Sequence, residues 1–194
     1  FRFTDTVFIE MDYFRHDSIY DIIFRMNNEI ISIYLHDLLT GLLALHSQNY
    51  IHRDIKPENF LFDLKNKIGV LCDFGFCEKQ KKNNSPPAKS TSLPEINLKS
   101  IQKDLQTCLN DSNTQSEDDN RTAMQAKRAG TRGYRAPEVL WKSSNQTTAI
   151  DIWSVGIIFL SLLSRKVPFL SRTNDLTDLY EISCIVGRTR LQMA

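Results

Sequence analysis

No CxxC pair occurs in the 194-residue chain, and its four cysteines, Cys72, Cys77, Cys108 and Cys184, show no metal-ligand spacing. That argues against a zinc module and a disulfide framework, and reads as a reduced, intracellular protein. Neither sign of charge dominates: 24 Lys and Arg stand against 23 Asp and Glu, a net charge of +1. No global field then favours nucleic acid or a membrane surface, and neither is expected as a direct partner. No secretory leader is visible, and no apolar run reads as long enough to span a bilayer. The first residue is Phe1 rather than Met, so the chain reads as a piece of a longer protein. At 41% hydrophobic residues it can bury the core of one globular domain.

A second absence is local. Residues 79–127 contain no aromatic residue and no glycine, yet hold Pro86, Pro87 and Pro94 and charge in blocks, from Lys81 and Lys82 to Glu117, Asp118 and Asp119. Such a stretch cannot bury enough apolar area to order itself, so residues 79–128 are expected to form a disordered insert. Leu98, Ile101, Leu105 and Leu109 would share one face of a short helix, a possible docking element.

What is present centres on residues 50–62, YIHRDIKPENFLF. Two apolar flanks hold a polar loop. Asp54 can accept a proton from an alcohol, Lys56 can neutralise a phosphate oxygen, and Asn59 can hold a divalent metal through its carbonyl. A base, a cation and a metal ligand on one loop are the requirements of phosphoryl transfer.

The flanking elements follow from pattern. Residues 6–11 read as a strand. Ser18 with Asp21 resembles a capping box for a helix over 19–26. Ile30, Ile31, Tyr34, Leu35, Leu38, Leu39 and Leu42 recur at helical spacing within 29–46. Leu61 and Phe62 with residues 68–71 bracket a polar turn and predict a hairpin that ends at Cys72 and delivers Asp73. Arg135 to Trp141 read as a turn opening a short helix. Residues 148–163 are apolar nearly all round and predict a helix buried at the centre of the domain. Leu176, Leu179, Ile182 and Val186 mark a last helix, with Asn174 as its cap and Gly187 past its end.

Four motifs stand in order: HRDIKPEN, DFG, GTRGYRAPE and DIWSVG. Together they resemble the large lobe of a eukaryotic protein kinase, and Lys56 and Thr131 resemble the serine/threonine branch. The run GTRGYRAPEVLWKSSNQTTAIDIWSVGIIFLSLLSRKVPF is similar to the family of cell-division-cycle kinases that fire replication origins, the catalytic subunit of DDK. That family also has a long insert between DFG and APE.

The resemblance implies an α+β fold: a mainly α-helical large (C-terminal) lobe with a short hairpin at the active site, the small lobe largely missing from residues 1–194. It implies a kinase that transfers the ATP γ-phosphate to Ser or Thr. Asp54 would be the catalytic base, Lys56 the phosphate-neutralising cation, and Thr131 the bridge between them. Asn59 and Asp73 would hold Mg2+. Met11 would back the adenine pocket, Asp12, Tyr13 and Phe14 would form the hinge, and Leu61 would floor the ring. Asp151 would cap the catalytic-loop backbone. Arg128, Arg132 and Arg135 would favour an acidic or phosphorylated residue just after the target. The implied partners are a protein substrate, with MCM helicase subunits foremost, and an activating regulatory subunit, with action in the nucleus. The glycine-rich loop and the ATP-contacting strand Lys are not in the chain, so these residues alone are expected to be inactive. The alternatives are a truncated or pseudokinase-like scaffold, and another serine/threonine kinase with a long insert.

Overall fold

A computed structural model describes residues 2–3, 6–7, 10–80 and 130–187. All lie within one compact unit. The elements in chain order are β1 (Arg2–Phe3), β2 (Thr6–Val7), α1 (Ile19–Ile22), α2 (Asn28–Ser47), β3 (Tyr50–Ile51), a 3-10 turn (Pro57–Asn59), β4 (Phe60–Asp63), β5 (Ile68–Leu71), β6 (Glu78–Lys79), α3 (Pro137–Leu140), α4 (Ala149–Ser164) and α5 (Asp175–Val186). The strands form three antiparallel pairs, β1 with β2, β3 with β6, and β4 with β5.

Helix α2 organises the core. Asn27 Oδ1 accepts from Ile30 N at 2.9 Å, which satisfies one of the open amides of the first turn. Glu29 in that turn and His46 in the last complement the helix dipole. Ile31, Tyr34, Leu38 and Leu42 are buried along one face. That face packs on the β4–β5 hairpin and on α4. The Tyr34 ring meets Phe60 edge-on at 4.7 Å and Phe62 at 5.1 Å.

The hairpin has the alternation of a half-buried sheet. Phe60 and Phe62 point inward, and Leu61, opposite Val70, is only partly covered. Its turn is built by Asp63, whose Oδ1 accepts from Lys65 N at 2.9 Å and Asn66 N at 3.0 Å. Arg15 pairs with the same carboxylate at 3.2 Å.

Several expectations are corrected. Of the strand read over residues 6–11, Thr6–Val7 pairs with Arg2–Phe3, residues 8 and 9 lie outside the described residues, and Glu10 and Met11 are irregular. The capping box at Ser18 does not form: its side chain makes no cap bond, and α1 is one turn that ends at Ile22. Helix α4 is not enclosed on all sides. Ile150, Val155, Ile158 and Leu162 are buried, but Ile152 is 49% and Leu163 53% exposed. Helix α2, at 20 residues and mean hydropathy 1.3, is long and apolar enough to cross a membrane by length and composition, contrary to the reading of the sequence. Part of that hydropathy belongs to the face that packs on the hairpin and α4, whereas Leu39 and Leu43 are 42% and 69% exposed. The insert expected over 79–128 begins inside β6, where Lys79 pairs with Tyr50 and Gln80 N donates to Asn49 O at 2.7 Å. The remainder, including the Leu98 to Leu109 face, lies outside the described residues.

Two glycines give opposite expectations. A Cβ on Gly69 would stand 2.1 Å from Phe60 Cζ, inside the core ring. Gly69→Ala should therefore destabilise the chain by about 1–3 kcal/mol. A Cβ on Gly156, within α4, meets nothing within 4 Å. Gly156→Ala should stabilise by about 0.5–1 kcal/mol through backbone entropy. Urea unfolding of both variants checks the pair, and a neutral Gly69→Ala would contradict the packing.

Candidate active site

The loop after β3 is held from below by one carboxylate. Asp151, in the first turn of α4, is 1% exposed. Its Oδ2 accepts from His52 N at 2.8 Å, and its Oδ1 from Arg53 N at 2.8 Å. His46 Nε2, at the end of α2, lies 2.8 Å from the same carboxylate. Arg53 has a φ of 71°, the left-handed region that a residue with a Cβ adopts at a cost. The paired amide bonds offset that cost and turn the next residue, Asp54, toward the segment that begins at Gly130.

Asp54 is 3% exposed and every oxygen is used. Oδ1 accepts from Thr131 N at 2.7 Å and Thr131 Oγ1 at 2.6 Å. Oδ2 pairs with Lys56 Nζ at 2.8 Å and accepts from Asn59 Nδ2 at 3.1 Å. Lys56 Nζ also donates to Thr131 Oγ1 at 3.0 Å. Asn59 Nδ2 donates as well to Asp54 O at 2.8 Å, which closes the loop on itself. Burial pushes the Asp54 carboxyl up, but bonds from Lys56 and Thr131 outweigh it and hold the group below the ordinary carboxylate range. The side chain is an anion at neutral pH, ready to orient or accept a proton.

Gly130 explains how Thr131 comes so close. Its φ is +94°, and a Cβ there would stand 2.5 Å from Arg53 O. Only glycine lets the two segments touch.

The structure therefore brings Asp54, Lys56, Asn59 and Thr131 together. Asp73 is tied to them through the backbone: Cys72 N donates to Asn59 O at 2.9 Å, and Asp73 follows with φ 59° and an exposed side chain. Its Oδ1 accepts from Gly75 N at 3.2 Å. Asn59 has its amide nitrogen committed to Asp54, which leaves its carbonyl oxygen for a ligand. Leu61 sits on the partly covered side of the hairpin. Met11 is 77% exposed, Asp12 and Tyr13 are exposed, and Phe14 is half-buried.

The arginines divide. Arg128 lies outside the described residues. Arg132 is exposed, and its Nη1 donates to Thr173 O at 3.4 Å. Arg135 donates from Nε to Gly130 O at 2.9 Å and pairs through Nη1 with Asp175 at 3.2 Å, so its charge is matched within the chain. The reading of the sequence missed Asp175 and Asp178. Asp178 accepts from Gly133 N at 3.2 Å and so fixes this segment from α5. It also missed Glu78 and Gln146, which both accept from the Arg53 guanidinium. These partners lie 25 to 93 residues away in sequence, where no local pattern marks them.

A model of the protein kinase domain matches residues 1–96 and 104–192. The cell cycle serine/threonine-protein kinase hsk1 of Schizosaccharomyces pombe is 36% identical over 191 residues, covering 98% of this chain and 37% of that protein. The probable cell division control protein 7 homolog 2 of Encephalitozoon cuniculi is 36% identical over 198 residues, 100% of this chain and 55% of that protein. A human cell division cycle 7-related protein kinase is 60% identical over 70 residues, 36% of this chain and 12% of that protein. The chain thus spans between about a third and just over half of the first two of these relatives.

Two measurements probe the site as geometry. Asp151→Ala leaves two buried amides without an acceptor, at about 1–3 kcal/mol each. The His52 and Arg53 amides should then exchange hydrogen rapidly while those of Leu38 and Leu42 stay protected; unchanged exchange at 52 and 53 would sink the assignment. The depressed Asp54 carboxyl contributes stability that is full above its ordinary value, pH about 4, and is lost as pH falls through the lowered value. Lys56→Met should raise the Asp54 titration midpoint, followed by carboxyl carbon NMR. A midpoint that stays put would mean Lys56 does not hold the charge.

Proposed function

The chain belongs to the protein kinase family, and from that premise we propose that it is the large lobe of a serine/threonine kinase of the DDK type. It would transfer the ATP γ-phosphate to serine or threonine, with an activating regulatory subunit. The observation that carries this reading is the Asp54 carboxylate, held ionised by Lys56 and Thr131 at 2.8 and 2.6 Å beside Asn59. In this reading Asp54 orients the acceptor hydroxyl and takes its proton. Lys56 balances charge on the transferring phosphate. Thr131 sets the angle of the Asp54 carboxylate.

Asn59 and Asp73 suit magnesium. Each offers a hard oxygen, and magnesium is satisfied with one or two protein ligands plus phosphates and water. Bound there, it would neutralise charge on the phosphates. The adenine side of the site lies at the N-terminal end of the described segment. Met11, Asp12, Tyr13 and Phe14 remain its proposed wall and hinge, with Leu61 as its floor.

Similarity to kinases named for cell-cycle control supports a role in that process. The proposed substrates are the acidic, phospho-primed tails of the replicative MCM helicase, and the proposed place of action is the nucleus. Arg128 and Arg132 are proposed to favour acidic residues after the target; Arg135 would do so only beside its partner Asp175.

The full-length protein with its activating subunit provides the test. Asp54→Asn should lower the transfer rate by about 10²–10⁴-fold with ATP affinity retained, because the carboxylate faces the hydroxyl. Asp73→Asn should instead weaken metal-dependent nucleotide binding, since a charged ligand becomes neutral. Equal loss of ATP affinity in both variants would contradict the division of roles.

A further inference from the structure

Arg53, the residue before Asp54, is a junction of four segments. Its amide donates to Asp151 of α4, and its carbonyl faces Gly130, where a Cβ would stand 2.5 Å away. Its guanidinium reaches two further segments. Nη1 donates to Glu78 Oε2 in β6, and Nη2 to Gln146 Oε1 in the loop before α4. Gln146 is itself fixed, because its Nε2 donates to Ser143 O at 3.2 Å.

The two ends of the ion pair differ. The Arg53 side chain is 7% exposed and that of Glu78 46%. A pair exposed at both ends would contribute little. Here the cation is enclosed, and a guanidinium cannot shed its proton, so it needs an anion beside it. Gln146 is neutral and offers only a dipole. Glu78 supplies the charge that Gln146 lacks.

Backbone pairing puts Glu78 in reach. Strand β6 runs antiparallel to β3 with Glu78 opposite Ile51, two residues before Arg53. Gln80 N donates to Asn49 O and extends the ladder. Before the strand, Cys77 N donates to Phe74 O at 3.1 Å, so the turn after Asp73 leads directly into β6. The stretch from Cys72 to Lys79 is thus tied to the catalytic loop twice. Cys72 N donates to Asn59 O at its start, and Glu78 pairs with Arg53 near its end.

We propose that Glu78 is a positioning residue for phosphoryl transfer: by holding the Arg53 guanidinium it holds the left-handed turn that aims Asp54. The inference rests on the kinase reading above. A φ of 71° persists at Arg53 only where the surroundings over-determine it. Asp151 fixes the amide, and Glu78 fixes the far end of the side chain. Without that carboxylate the enclosed guanidinium is drawn toward water and takes its backbone with it. Asp54, the next residue, then loses its alignment with Thr131. Glu78 touches none of the reacting atoms and acts through Arg53.

The experiment uses the full-length kinase with its activating subunit and one serine peptide. Glu78→Gln keeps the shape and a hydrogen-bond acceptor but removes the charge. It should lower kcat about tenfold and leave the KM for ATP within about twofold. Arg53→Asn removes the guanidinium with a residue that adopts positive φ readily. In the Arg53→Asn background, Glu78→Gln should have no further effect, because its route to Asp54 is already cut. A further tenfold loss in that background would overturn the proposal. An undiminished kcat for Glu78→Gln alone would overturn it too. So would equal losses in kcat and ATP affinity with a lowered melting temperature, which would make Glu78 a residue of general stability. No transfer by the unmutated kinase would instead remove the proposed function itself, and this inference with it.

Discussion

The Asp151 carboxylate is the contact on which the site depends. A buried carboxyl is tolerated only when its oxygens are filled by donors. Here those donors are the His52 and Arg53 amides and the His46 ring, which come from the catalytic loop and the end of α2. One side chain of α4 thus fixes three parts of the chain at once. The left-handed turn at Arg53 can exist because the His52 and Arg53 amides are both held by Asp151, and Asp54 takes its direction from it.

A second constraint closes the site from the other side. Gly130 removes the side chain that would strike Arg53 O, and Thr131 then reaches Asp54 with both its amide and its hydroxyl. Bonds to a carboxylate are the stronger hydrogen bonds of a protein interior. They lower the proton affinity of Asp54 against the effect of burial, so the same contacts that position the group also keep it charged. Helix α5 extends this network: Asp175 takes Arg135, Asp178 takes the Gly133 amide, and the loop before it carries Arg172. Segment 130–135 is therefore set by the catalytic loop on one side and by α5 on the other.

Much of this was legible in the chain. Asp54, Lys56 and Asn59 share one short loop, so their meeting required only a tight turn, and Pro57 within it favours one. The hairpin was readable because Asp63 and Asn66 announce a turn between alternating residues. Helix α2 was readable from the spacing of Tyr34, Leu38 and Leu42. The failures share a cause. Ser18 has the composition of a cap but no bond, since α1 ends after one turn. Helix α4 has the composition of an enclosed helix, yet Ile152 and Leu163 face outward, because composition does not say how many neighbours a helix has. Arg135 looked like a ligand for an anion, and Asp175, 40 residues on, takes much of that role.

The sequence by itself determined the catalytic loop, the hairpin, the long core helix and the family, because each rests on residues within a few positions of one another, where backbone geometry links spacing to contact. Tertiary structure alone decided which charges are already matched and which are not. It joined Asp151 to a loop 98 residues earlier, Thr131 to Asp54 across 77, and set the Arg172 guanidinium over the Tyr134 ring. Electrostatic partners act through space in a medium of low dielectric, where a neighbour at 3 Å outweighs any feature of the local sequence.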